Sequence, residues 1–167
     1  MKCILQRVTA ASVTVDGAIV GAIKEGVMVL IGLHHEDKDA DLDYIVSKIL
    51  TTRVFDGEAT DTAPGKPWAR SVTDAGYGVL SVSQFTLNCR MKGTRPDFHH
   101  AMSTDKARET YDLFLEKLRK AYPGGHIANG IFGANMSVNI VNDGPVTITF
   151  DSRNRKAAEL DKPLSGQ

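Results

Sequence analysis

Val27-Met28-Val29-Leu30-Ile31-Gly32-Leu33 is the longest apolar run in the chain, and its reading decides the fold. A run without polar alternation marks a strand covered on both faces, the middle of a sheet rather than its edge. Toward the N-terminus, residues 3–9 and 12–15 are rich in Val, Ile and Thr, and Asp16-Gly17 sets a hairpin turn before a strand over 18–23. A second turn at Glu25-Gly26 feeds the central run. Toward the C-terminus the period changes. Leu42, Ile45, Val46, Ile49 and Leu50 fall at i, i+3, i+4, i+7 and i+8, one face of a helix. Asp37, Asp39, Asp41 and Asp43 stand at or before its first turn, where the helix dipole favours anions.

Further along, Val54-Phe55 is expected as a short strand, and 57–68, with Pro64, Gly65 and Pro67, as a loop. Residues 79–83 form a strand that ends in Gln84-Phe85-Thr86-Leu87. Residues 88–100 have no periodicity and read as a loop. A second helix runs over 104–122 with Ala107, Tyr111, Phe114, Leu115 and Leu118 as its apolar stripe, and Pro123-Gly124-Gly125 stops it. Residues 136–141 and 146–150 alternate as strands on either side of Asn142-Asp143-Gly144-Pro145. The sum is a single α/β domain over 1–150, with a mixed or mainly antiparallel sheet and two main helices. A polar C-terminal tail over 151–167 is expected to be loose.

The 167 residues suit one domain, and 20 Lys+Arg against 20 Asp+Glu leave no net charge. That balance excludes a binder that holds nucleic acid by bulk charge. It arises by segregation: residues 36–43 hold five acids and one Lys, while 88–100 hold three cations and one Asp. Two cysteines, Cys3 and Cys89, are too few for a disulfide scaffold and suit free thiols in a reducing compartment. No apolar run approaches the ~18 residues of a membrane span, and the first residues lack a secretory apolar stretch. Cytoplasmic placement is the expectation.

The usual reactive constellations (GxSxG, HExxH, a P-loop, GxGxxG after a strand) are missing. His34-His35 and His99-His100 are adjacent pairs. Neighbours on a strand point to opposite faces, so neither pair makes a ready two-ligand site, and no metal is expected. Cys89 as a nucleophile needs a His partner that sequence does not locate. Two segments stand out. In Ser83-Gln84-Phe85-Thr86-Leu87 a Val-rich strand breaks into hydrogen-bonding side chains around a Phe. This is either a strand end with a Ser/Thr turn or a strand terminus that offers N–H groups and hydroxyls to a ligand. Asn142-Asp143-Gly144-Pro145-Val146-Thr147 reads as a plain turn, although Pro after Gly suits a hairpin poorly.

Together these segments resemble the signature pair of the D-aminoacyl-tRNA deacylases. Gln6-Arg7-Val8, Lys92-Gly93-Thr94-Arg95-Pro96-Asp97-Phe98 and Gly130-Ile131-Phe132-Gly133-Ala134-Asn135-Met136 are family-like as well, in the family's order across about 1–150. The resemblance implies a barrel-like version of the fold, a homodimer, and hydrolysis of the ester joining a D-amino acid, or glycine, to the 3′-terminal adenosine of tRNA. No cofactor is implied. Ser83, Gln84, Phe85 and Thr86 would line the reaction centre. Gly144 and Pro145, joined by a cis bond in the family, would reach into the partner subunit's pocket and exclude L side chains. Arg7 would buttress that turn. Phe132 and Met136 would shape the adenosine pocket, though core packing explains both equally well from periodicity. Arg90, Lys92 and Arg95 would meet phosphates near the acceptor end, or simply be solvated.

Two alternatives carry through. One is a nucleic-acid-binding module on the same fold, for which the tail over 151–167 has a surplus of only one cation (Arg153, Arg155, Lys156 and Lys162 against Asp151, Glu159 and Asp161). The other is the related deacylase of L-alanine mischarged on threonine tRNA, from which Phe85 in the first motif distinguishes this chain.

Overall fold

The computed structural model describes residues 1–155. The run at 27–33 forms β3 (Gly26–Gly32), and its position explains its composition. Strand β1 (Lys2–Val15) lies antiparallel along one edge of β3, with Leu5 opposite Val29, and β4 (Gly78–Ser83) lies parallel along the other, with Leu30 opposite Val82. Alternate side chains then enter two different cores. Val27, Val29 and Ile31 pack with the helices, while Met28 joins Val8, Ala11, Val13, Ile23, Leu80 and Val82 on the other face.

Strand β1 is long enough to serve two partners on one edge. Its first half pairs with β3, and Ala11–Val15 pairs with β2 (Ala18–Ile23) across the Asp16-Gly17 turn, where both residues have positive φ as a two-residue hairpin demands. The opposite edge of β1 is lined by β8 (Ser137–Asp151). A short β7 (Ile127–Asn129) continues the parallel side beyond β4. Strand β2 bends over toward it, so that a side chain at Gly21 would sit 2.6 Å from the Asn129 carbonyl oxygen. The result is a mixed α/β domain with a nearly closed, barrel-like sheet.

Helix α1 (Asp39–Thr51) buries the expected stripe, and the Asp41 carboxylate accepts from the Lys38 N–H at 2.9 Å at its start. After the 4-residue α2 (Val72–Ala75), helix α3 (Thr104–Ala121) likewise buries Ala107, Tyr111, Phe114, Leu115 and Leu118. Lys117 of α3 reaches Asp39 and Asp43 of α1, at 3.0 and 2.8 Å.

Four expectations need correction. Residues 142–145 do not join two strands: β8 is continuous, and they form an outward excursion within it. Gln6 pairs with Thr147 but Val8 with Asn142, so two steps on β1 face five on β8. Residues 88–100 are not all loop, because β5 (Arg90–Lys92) and β6 (Arg95–Asp97) make a small hairpin around Gly93, whose φ is +62°. Val54-Phe55 forms no strand beyond a single bridge from Phe55 to Arg70. Finally, the segment expected to be loose from 151 is tied down at its start. Asp151 closes β8, the Ser152 N–H donates to the Met1 carbonyl at 2.9 Å, and Arg155 donates to Asp41 at 3.0 Å. Residues 156–167 lie outside the described residues.

Candidate active site

The parallel strands β3, β4 and β7 send their carboxyl ends to one side of the sheet, where ligands of such sheets commonly bind. Ser83 is the last residue of β4, opposite Ile31, and the Gln84 N–H donates to the Ile31 carbonyl at 2.7 Å. The chain then tightens into a 3-10 turn, Phe85–Asn88. Asn88 anchors it from below, its buried amide donating to the Leu33 carbonyl at 2.8 Å. The Phe85 and Thr86 N–H groups fall in the first turn, where a helix leaves its donors without intrahelical acceptors. Gln84 Nε2 donates to Thr86 Oγ1 at 2.6 Å. Phe85 is 58% exposed and meets Phe98 edge-on at 5.1 Å.

The segment 130–136 comes to the same end of the sheet. The Gly130 N–H donates to the Ser81 carbonyl at 3.1 Å, and a side chain at Gly130 would collide with Met136 Sδ at 2.5 Å. Met136 is partly buried against the core shared by Val13 and Val82. Phe132 packs against Tyr111 at 5.9 Å, and the Arg108 guanidinium lies over its ring at 4.9 Å. Tyr111 in turn shares a 2.8 Å hydrogen bond with the fully buried Ser81 hydroxyl, and burial raises its phenol well above the usual range. Sequence reasoning did not single out Ser81, Arg108 or Tyr111 for this end of the sheet. A Ser within an apolar strand was the one available signal.

The excursion at 142–147 is built differently. Asn142 Oδ1 accepts from the Val146 N–H at 2.9 Å, and its amide donates to Thr147 Oγ1 at 3.1 Å, closing the loop on itself. The Gly144–Pro145 peptide is cis, and Gly144 has φ +116°. Arg7 lies beneath: Nη1 donates to the Val54 carbonyl at 2.6 Å, Nε lies 2.9 Å from Asp143 Oδ2, and the guanidinium sits 5.9 Å from the Trp68 ring centre. A side chain added at Gly144 would come within 3.1 Å of Arg7 Nη2.

Among the described residues, no hydrogen bond or ion pair joins the two motifs within one chain. From the excursion on β8, level with Arg7, to Ser83 there are three strand spacings and four residues along β4, roughly 20 Å measured along the curved sheet. The cations near the first motif are partly spent as well. Lys92 and His99 both engage Asp97 and hold its carboxyl far below the usual range, leaving Arg90 and Arg95 exposed without that partner.

Histidines assemble where the sequence did not suggest it. His34 and His35 from the end of β3 meet His100 from the segment before α3, all three with ligating atoms within 4.8 Å of one another. Neither adjacent pair converges by itself; a chain crossing that local spacing does not reveal brings in the third ring.

A sequence profile of the family described as D-Tyr-tRNA(Tyr) deacylase matches residues 4–151. The chain is 51% identical to mouse D-aminoacyl-tRNA deacylase 1, covering 99% of this chain and 77% of that protein. It is 44% identical to the Drosophila melanogaster D-aminoacyl-tRNA deacylase, covering 97% and 100%. Among solved structures, the c-Myc DNA Unwinding Element Binding Protein is similar with a TM-score of 0.83 at 50% identity, covering 90% of this chain and 98% of that one. A probable eukaryotic D-amino acid tRNA deacylase shares the fold, with a TM-score of 0.74 at 22% identity and the same coverage. Carrying both motifs on that fold, the chain belongs to the D-Tyr-tRNA(Tyr) deacylase family.

Proposed function

We propose that the protein hydrolyses the ester between a D-amino acid, or glycine, and the 3′-terminal adenosine of tRNA, and that it does so in the cytoplasm. The observation that carries this reading is the match, over nearly the whole chain, to deacylases of D-aminoacyl-tRNA. The local geometry then narrows the mechanism. An aminoacyl ester is already activated, so positioning and electrostatic stabilisation supply much of the catalysis. Thr86 Oγ1 accepts from the Gln84 amide, and an amide is no base. A Thr hydroxyl without a base is a poor nucleophile. Attack therefore falls to water, assisted by the ribose 2′-hydroxyl, with Ser83, Gln84 and Thr86 as positioning contacts. The N–H groups at Phe85 and Thr86 receive the developing oxyanion, and losing one such donor typically costs ~10²–10³ in rate.

Chirality is set by Gly144 and Pro145, which stand as a backbone wall against an L side chain. Because no hydrogen bond or ion pair joins them to their own chain's Ser83–Thr86 among the described residues, and in keeping with the family resemblance, we assign them to the pocket of a second copy. The site is then shared across a homodimer. Exposed Phe85, Ile131 and Val141 supply apolar surface that such a partner would cover. Arg7 braces the wall, Phe132 and Met136 shape the adenosine pocket, and Arg90 and Arg95 are free for acceptor-end phosphates.

A second reading, a DNA-binding module, is favoured by the similarity to the c-Myc DNA Unwinding Element Binding Protein. Release of D-tyrosine from D-tyrosyl-tRNA by the purified chain, measured beside retention of a labelled duplex, separates the two. Turnover is expected. Duplex binding without any ester hydrolysis would replace the deacylase reading with the binding one.

A further inference from the structure

We propose that His34, His35 and His100, joined by Glu36, form a binding site for a borderline-soft divalent transition metal of the zinc type. The site shares no residue with the proposed reaction centre and does not rest on the deacylase reading. Its backbone is fixed by three ties between distant segments. The His35 N–H donates to the His100 carbonyl at 3.1 Å, the Met102 N–H to the Leu33 carbonyl at 3.0 Å, and His34 bridges to Ala101. The ligating nitrogens consequently lie within 4.8 Å of one another. Zinc bonds imidazole nitrogen at ~2.0–2.1 Å, which sets two ligands of a tetrahedral centre roughly 3.4 Å apart. His35 is exposed, which leaves its ring free to turn toward the other two.

Two further observations point to a ligand. Both ring nitrogens of His100 are buried and have no hydrogen-bond partner among the described residues. Buried polar nitrogens are nearly always bonded, so two on one ring call for something to bind. In addition, Glu36 Oε2 lies 3.9 Å from His34 Nδ1, which brings an anionic oxygen within reach of the same centre. The donor set would be three imidazoles and a carboxylate, a combination suited to zinc and its neighbours.

Arg153 is the competitor. Its guanidinium faces His34 Nδ1 at 3.1 Å and grips the Glu36 carboxylate, while the Glu36 N–H also donates to that nitrogen at 3.2 Å. The rings now stack, with centroids 4.4–5.8 Å apart. Metal entry fans them toward a common point, exchanges the two contacts at His34 Nδ1 for a metal bond and releases Arg153. The bound ion would pin residues 97–101, whose Phe98 supports Phe85.

The test uses the full chain, stripped with a chelator, titrated with Zn²⁺ by calorimetry and then loaded with Co²⁺ for its visible spectrum. One ion per chain should bind at about micromolar Kd or tighter, with a rise in Tm. His35→Ala and His100→Ala should each weaken binding at least ~tenfold, Arg153→Ala should tighten it, and Co²⁺ should show tetrahedral bands. Circular dichroism of His35→Ala, altered at an exposed ring, keeps a folding defect from being mistaken for a lost ligand. Absence of saturable binding by the folded wild-type chain would overturn the proposal. So would full affinity in the doubly substituted His35→Ala/His100→Ala chain.

Discussion

Replacing Arg7 by Ala removes three contacts that converge beneath the Gly144-Pro145 excursion. The hydrogen bond to the Val54 carbonyl comes from a charged group whose side chain is 16% exposed. Bonds of that kind contribute about 1.5–3 kcal/mol. The contact with Asp143, whose side chain is 47% exposed, adds no more than ~1 kcal/mol. The guanidinium over Trp68 adds ~0.5 kcal/mol at its distance. Arg7→Ala should therefore cost about 2–4 kcal/mol, or roughly 5–15 °C in Tm for a chain of this size. If the wall loses even 1.4 kcal/mol of its positional stability, discrimination between D- and L-tyrosyl-tRNA should fall about tenfold. Arg7→Lys should recover only part of both effects, because a single ammonium cannot serve Val54 and Asp143 together. Thermal denaturation and paired deacylation rates read the two consequences separately. A Tm within 1 °C of wild type with an unchanged D/L ratio would refute the idea that Arg7 carries the wall.

Other outcomes follow from the same contacts. Thr86→Ala should slow D-tyrosyl-tRNA hydrolysis by ~10–100-fold without abolishing it. A trappable acyl-enzyme on the wild-type chain, lost in this variant, would make Thr86 the nucleophile instead. Tyr111→Phe leaves the buried Ser81 hydroxyl without its partner, at a cost of about 1–3 kcal/mol by denaturant melts. Asp97 has a folded-state pKa depressed by Lys92 and His99, so its contribution is present above the ordinary carboxylate range and is lost as pH falls through the depressed value. Asp97→Asn should accordingly destabilise the chain at neutral pH, and the gap from wild type should shrink in strong acid. A constant gap across the titration would contradict the assignment.

How far the sequence carries can be seen in particular elements. The run at 27–33, the stripe from Leu42 to Leu50 and the stripe from Ala107 to Leu118 are legible because burial imposes their period directly. Helix α2 was missed although Ser71 and Asp74 form a reciprocal cap, with the Asp74 carboxylate accepting from the Ser71 N–H at 2.9 Å. Four residues offer no periodicity to notice. Strand β7 is three residues long and half-buried, so it is defined by pairing with β4 rather than by its own composition. The excursion at 142–147 reads as a plain turn between two strands because turn residues flanked by alternating strands are the same text in both cases. Only the length of β1, which keeps pairing on either side of Arg7, tells them apart. Both motifs were legible as residues, whereas the crossing that gathers His34, His35 and His100 is a long-range fact.

We propose that this chain releases D-amino acids from tRNA and spares L-amino acids through a backbone wall. Initial rates on D-tyrosyl-, L-tyrosyl- and glycyl-tRNA, taken on one preparation of the wild-type chain, test it most directly. Rapid hydrolysis of the D and glycyl esters with the L ester left intact is the predicted result. Equal rates on the D and L esters would contradict it.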